Sequence, residues 1–236
     1  MQTEKIIDKI VSWLKDYATK AGVKGYVIGV SGGVDSGVVS TLCAMTGLNL
    51  LMLEMPIRQN EDQVNRAWEH MNDITKRFPN AKAMSVNLTP AFEELYKTFD
   101  VKDDEFPSEK LAFANTRSRL RMLTLYYYGQ INSLLVCGTG NKVEDFGIGF
   151  YTKYGDGGVD VSPIADLYKT EVYELARALN LVESIQNAIP TDGLWDVERT
   201  DEQQIGATYP ELEKIQEEWG TKTEADYSGR DLEVYK

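Results

Sequence analysis

Apolar residues recur at helical spacing near the start of the chain, at Ile6, Ile7, Ile10, Val11, Leu14 and Tyr17, and predict an amphipathic helix over residues 3–19. The period then changes. A short apolar run from Gly25 to Val30 predicts a buried strand, followed by a glycine-rich turn and a helix carrying Val38, Val39, Leu42 and Cys43. A second strand over 49–55 is closed by Pro56, and a helix over 62–78 turns Val64, Ala67, Trp68, Met71 and Ile74 inward. A strand over 81–88, helices over 90–99 and 108–129, and a strand over 133–137 complete the alternation. Strands alternating with helices imply an α/β fold: a doubly wound, Rossmann-like parallel sheet with helices on both faces.

Beyond Gly138 the sequence is glycine-rich over 145–160, helical over 166–179 and again near 209–219. The polar tail after Gly220 is expected to be loosely ordered. No repeat or boundary interrupts the chain, and 236 residues suit one domain spanning 1–236.

Charge narrows the partners. With 25 basic against 37 acidic residues, net −12, the summed field repels polyanions, so nucleic acid is disfavoured as a partner. No apolar run reaches the roughly 18 residues of a membrane span, and the charge-punctuated N-terminus is unlike a signal peptide. A cytoplasmic protein without membrane contact is expected. Cys43 and Cys137 each sit in an apolar segment and read as buried thiols rather than a disulfide, a zinc site or a nucleophile. The single histidine, His70, lies in a charged helical stretch and is expected to be exposed. Ser/His/Asp and Cys/His catalysis are therefore disfavoured.

The strongest chemical signal is Ser31-Gly32-Gly33-Val34-Asp35-Ser36, directly after the first predicted strand and running into a helix. Ligands of open parallel sheets bind beyond the strands' carboxyl ends, and free N–H groups at a helix start attract phosphate. Adjacent glycines let the backbone approach an anion, and Ser31 and Ser36 add hydroxyls. The loop ends in neither the Gly-Lys-Ser/Thr of a Walker A motif nor GxGxxG. An aspartate within it would repel phosphate unless a divalent cation intervened, so Asp35 points to Mg²⁺. Glu144 follows the fourth strand, whose end should lie beside this loop, so Asp35 and Glu144 can share one hard cation. Lys169 is a point charge suited to phosphate, and Thr139 and Thr191 offer hydroxyls.

SGGVDS resembles the pyrophosphate loop of the N-type ATP pyrophosphatases, implying the adenine nucleotide alpha hydrolase-like version of the fold. Gly138-Thr139-Gly140-Asn141-Lys142-Val143-Glu144, then Gly149-Phe150-Tyr151-Thr152-Lys153-Tyr154-Gly155-Asp156-Gly157-Gly158-Val159-Asp160, then Leu167-Tyr168-Lys169, resemble the ammonia-dependent NAD synthetases. The resemblance covers about residues 25–210. It implies that Gly29 to Ser36 (Gly29, Val30, Ser31, Gly32, Gly33, Val34, Asp35, Ser36), Thr139, Lys169 and Thr191 contact ATP. By the same resemblance Arg119, Lys153 and Asp160 hold nicotinate adenine dinucleotide (deamido-NAD). Phe150 and Tyr151 can stack on its pyridine ring. Asp156, among glycines, is the candidate that orients or deprotonates ammonia. The bland readings are that Arg119 and Arg121 pair with surface acids and that Tyr126-Tyr127-Tyr128 serve core and interface packing.

Two departures from the family pattern stand out. The segment Asp145 to Gly149 is one residue longer, and the basic His-Lys segment usual near the C-terminus has no counterpart after Gly220. Either that part of the site is built differently or the chain is a shortened version. The implied reaction is ATP-dependent amidation of deamido-NAD through an acyl-adenylate, with a homodimer formed on the 108–129 helix and no glutaminase domain. The competing readings are another ATP pyrophosphatase, disfavoured by acidity and by TKYGDGG, and a nucleotide-binding module without chemistry.

Overall fold

The computed structural model describes residues 2–99, 107–191 and 200–236. Four parallel strands form one sheet in the order β3-β2-β1-β4, from β1 (Gly25–Gly29), β2 (Asn49–Glu54), β3 (Ala81–Ser85) and β4 (Leu134–Val136). Register pairs Tyr26 with Leu50 and Ile28 with Met52, so these side chains share one face. That face packs on α1 (Thr3–Ala21), α2 (Val34–Met45), α3 (Glu61–Arg77) and α6 (Lys169–Ala178), through Leu14, Leu42, Met71 and Leu175 among others. Val27 and Leu53 point the other way, against Phe92 of α4 (Thr89–Thr98) and Met122 and Leu125 of α5 (Pro107–Asn132). Helices thus cover both faces, as the alternation predicts. Among the described residues no helix is long and apolar enough to cross a membrane.

Several expectations are corrected. The helix predicted from 166 begins at Lys169, because Leu167 N–H closes a turn onto Ile164 O and the Glu171 carboxylate caps Tyr168 N–H at 2.9 Å. The tail after Gly220 is ordered: α10 (Gly229–Tyr235) packs on α9 (Tyr209–Glu218), Tyr227 stacks on Tyr235, and Arg230 bonds Glu211. Short helices α7 (Glu183–Gln186) and α8 (Asp201–Ile205) lie between α6 and α9.

His70 is not exposed. It falls on the same face of α3 as Ala67, Met71 and Ile74, and is fully buried with Nε2 2.7 Å from Ser40 Oγ. Because Ser40 Oγ donates to Gly37 O, satisfying both groups puts a proton on Nε2 and leaves buried Nδ1 bare. Burial pushes the imidazole down from 6.5 to about 4, with Asp73 pulling up and Arg77 pushing down. The folded chain therefore binds fewer protons than the unfolded one between these values, so stability is full above pH 6.5 and falls as pH drops toward 4. The contribution is about 3 kcal/mol at its limit. Urea midpoints at pH 7 and 4.5 should fall less steeply for His70→Gln than for the parent; equal slopes would contradict this.

Cys43 and Cys137 are buried free thiols, although their sulfurs lie 3.6 Å apart across α2 and the end of β4.

Candidate active site

The loop after β1 turns sharply into α2, whose N-cap is Gly33. Ser36 Oγ donates to Gly33 O, while Ser31 N–H and Gly33 N–H bond to Ser36 Oγ and Ser31 Oγ at 3.2 and 3.3 Å. Gly32 is needed here on two counts. Its φ is +86°, and a Cβ would stand 2.7 Å from Gln63 O and 3.3 Å from Ala67 N on α3. Gly32→Ala should lower stability by roughly 1–3 kcal/mol and weaken ATP binding, read by thermal unfolding with and without ATP. Unchanged unfolding and ATP shift would contradict the loop's placement.

The second loop follows β4. Buried Asn141 caps the next helical segment by accepting from Val143 N–H and Glu144 N–H at 3.0 and 3.1 Å, and its Nδ2 donates to Asp35 Oδ1 at 3.2 Å. One side chain therefore keys the two loops together. The segment it caps, Lys142–Ile148, is a π-helix, the form that absorbs one residue inserted into an α-helix.

Lys169, the first residue of α6, is only 2% exposed. Its Nζ donates to Asp35 Oδ2 at 2.5 Å and Glu144 Oε1 at 2.9 Å. Burial opposes the ammonium, but the two carboxylates outweigh it and hold its proton above the ordinary lysine range. Burial also opposes the Glu144 anion, yet Lys169 and the Tyr209 hydroxyl keep its carboxyl below the usual range; burial pushes Asp35 up. Asp145 is raised to about 7, by burial first and then by Asp156, Glu144 and Asp35.

These groups face a cavity of about 510 Å³. Of the residues singled out from the sequence, Gly29, Val30, Ser31, Gly33, Val34, Asp35, Ser36, Thr139, Glu144, Phe150, Tyr151, Asp156, Lys169 and Thr191 line it. Gly32 faces α3 instead of the cavity. Asp156 sits on the wall with its carboxylate engaged, accepting from Ser118 Oγ at 2.6 Å and Thr152 N–H at 3.1 Å. Arg119, Lys153 and Asp160 are not brought to the cavity: Arg119 Nε donates to Lys153 O, Lys153 Nζ lies over the Tyr154 ring, and Asp160 accepts from Val136 N–H and Tyr126 OH.

Other wall residues had no role assigned from the sequence. One face of α5 lines the cavity through Leu111, Asn115, Ser118, Arg121 and Leu125, and Arg121 donates from Nε to Met55 O and from Nη2 to Gln59 Oε1. The i, i+3, i+4 spacing of these polar and apolar residues was the available signal. Asp145 is another, its carboxylate filling the space a Cβ on Gly140 would need.

Six acidic residues, Asp35, Glu54, Glu144, Asp145, Asp156 and Asp201, thus line the cavity with the cations of Lys169 and Arg121. Oxygen donors with excess negative charge beside a phosphate-type loop suit a hard divalent cation.

The NAD synthase family model matches residues 6–234. The NH(3)-dependent NAD(+) synthetase of Mesoplasma florum is 40% identical over 214 residues, covering 90% of this chain and 84% of that protein; that of Finegoldia magna is 38% identical over the same shares. Among solved structures, NMN synthetase from Francisella tularensis superposes with a TM-score of 0.86 at 30% identity, covering all of this chain and 92% of the other. The NH3-dependent NAD synthetase from Campylobacter jejuni superposes at 0.78 with 25% identity and the same coverage.

Proposed function

Since this chain belongs to the NAD synthase family, we propose that its cavity carries out the ATP-dependent amidation of deamido-NAD to NAD with ammonia. The observation that carries this reading is the meeting of Asp35, Glu144 and Lys169 at the mouth of the Ser31 to Ser36 loop. In the first step a nicotinate carboxylate oxygen attacks the α-phosphorus of ATP, and the α–β anhydride bond breaks. The departing pyrophosphate is held by loop N–H groups, by Ser31 and Ser36, and by the Lys169 ammonium. Ammonia nitrogen then attacks the acyl carbon, the bond to the AMP oxygen breaks, and the nitrogen loses a proton toward Asp156 or solvent. Asp35 and Glu144 would hold Mg²⁺, which when bound offsets charge on the triphosphate. Thr139 and Thr191 add hydroxyl contacts to ATP, and Phe150 and Tyr151 face the pyridine. The protein's contribution is positioning and fixed charge, with no nucleophilic side chain.

The same reading makes the chain one catalytic domain using free ammonia in the cytoplasm, and a homodimer. Leu123, Tyr127 and Ile131 are more than half exposed on the outer face of α5, and Arg119 stands one turn before Leu123 on that stripe. This supports deamido-NAD reaching Arg119, Lys153 and Asp160 along the subunit boundary.

The likeness to an NMN synthetase favours a second reading, in which the acceptor is the carboxylate mononucleotide. The activation chemistry is unchanged. Supplying each acceptor with ¹⁸O in its carboxylate tests both readings: label should appear in AMP with the true acceptor, and its absence from AMP with both would refute the acyl-adenylate.

A further inference from the structure

We propose that Tyr209, with Glu213 one turn later, is a positioning residue of the amidation reaction, acting through Glu144 and Lys169; this rests on the reading above. The Tyr209 hydroxyl is 2.6 Å from Glu144 Oε1 and 3.3 Å from Asp201 Oδ2, and its ring lies 4.9 Å from Lys169 Nζ. The side chain is 5% exposed. The hydroxyl lies between two carboxylates, and its proton goes to Glu144, the nearer. This fixes which way Glu144 presents its second oxygen. The aromatic face meanwhile bounds the ammonium that bridges Glu144 to Asp35.

Glu213 lies on the same side of α9 and grips the other half of the pair. Its carboxylate accepts from Thr170 N–H at 3.0 Å and Thr170 Oγ1 at 2.7 Å, tying down the first turn of α6, where Lys169 sits. The start of α9 is itself fixed: Thr208 and Glu211 cap each other's backbone N–H, Pro210 occupies the first turn, and Tyr209 N–H bonds Glu202 Oε1 at 3.0 Å. One rigid helix therefore sets the orientation of both an acid and the lysine at the phosphate loop. Outer contacts of this kind govern how ligating carboxylates bind a metal.

The test is Tyr209→Phe, which keeps the ring and removes the hydroxyl. Mn²⁺ binding in the presence of α,β-methylene-ATP should weaken about ten- to a hundredfold, and kcat for NAD formation should fall by a similar factor. KM for the pyridine nucleotide should stay unchanged, as should the circular dichroism spectrum. A folded Tyr209→Phe with parental Mn²⁺ affinity and kcat would overturn the proposal. Should that variant not fold, Glu213→Gln serves instead: a raised KM for ATP and lowered kcat are expected, and parental values overturn it. Mn²⁺ binding is read without an acyl acceptor, so a parent chain that formed no NAD would defeat the functional reading alone.

Discussion

Replacing Lys169 by Met is expected to destabilise the protein by about 3–5 kcal/mol and to remove activity, because it strips the counter-charge from two buried carboxylates. Asp35 and Glu144 both accept from one ammonium, at 2.5 and 2.9 Å, in a setting where the lysine side chain is 3% exposed. Without it the two largely buried anions face each other on the cavity wall, and protonation relieves their repulsion. The pH dependence gives an independent check. In the variant these carboxyls have folded-state pKa values raised above the unfolded ones, so the folded chain binds more protons and its stability rises as pH falls through that range. Chemical denaturation of parent and variant at pH 8 and 5.5 reads this directly: the gap in unfolding free energy should narrow at the lower pH. A gap that is small at pH 8, or that widens on acidification, would contradict the arrangement.

Asp35→Asn is expected to leave stability nearly unchanged while still removing most of the activity. Asparagine has nearly the shape of aspartate, and Lys169 keeps Glu144 as partner, so one cation faces one anion and the buried charge is balanced. Unfolding free energy should change by no more than about 1 kcal/mol. Turnover should fall on the order of a thousandfold, because charge on the triphosphate is no longer offset at the loop. Measured side by side, the two variants separate holding the fold from doing the chemistry. Full activity of a folded Asp35→Asn would show that this carboxylate has no part in handling phosphate charge.

The sheet and its covering helices were legible because their signals are local. Tyr26 to Ile28 and Leu50 to Leu53 are apolar runs bounded by turn residues, and the parallel order follows from the helices between them. The Ser31 to Ser36 loop was legible as a candidate because its residues are contiguous and follow a strand directly. Asp35, Glu144 and Lys169, far apart in sequence, were each identified, but their common ion pair is a tertiary fact that spacing does not encode. His70 was misplaced because a charged neighbourhood, Arg66 and Glu69 among it, masked its position on the buried stripe of α3. The tail was misjudged for a similar reason: its order comes from packing on α9, the Tyr227–Tyr235 stack and Arg230 ion pairs, tertiary contacts that its polar composition masks. Tyr209 was passed over as the start of a short helix, since only the fold sets its hydroxyl against Glu144.

The central claim is that this cavity joins ammonia to a pyridine nucleotide carboxylate at the expense of the α–β bond of ATP. The most direct measurement incubates the protein with deamido-NAD, ATP and Mg²⁺, with either ammonium or glutamine, and quantifies NAD, AMP and pyrophosphate. Equal amounts of all three with ammonium, and none with glutamine alone, is the expected result. ADP and phosphate in place of AMP and pyrophosphate, or no NAD under any nitrogen donor, would contradict it.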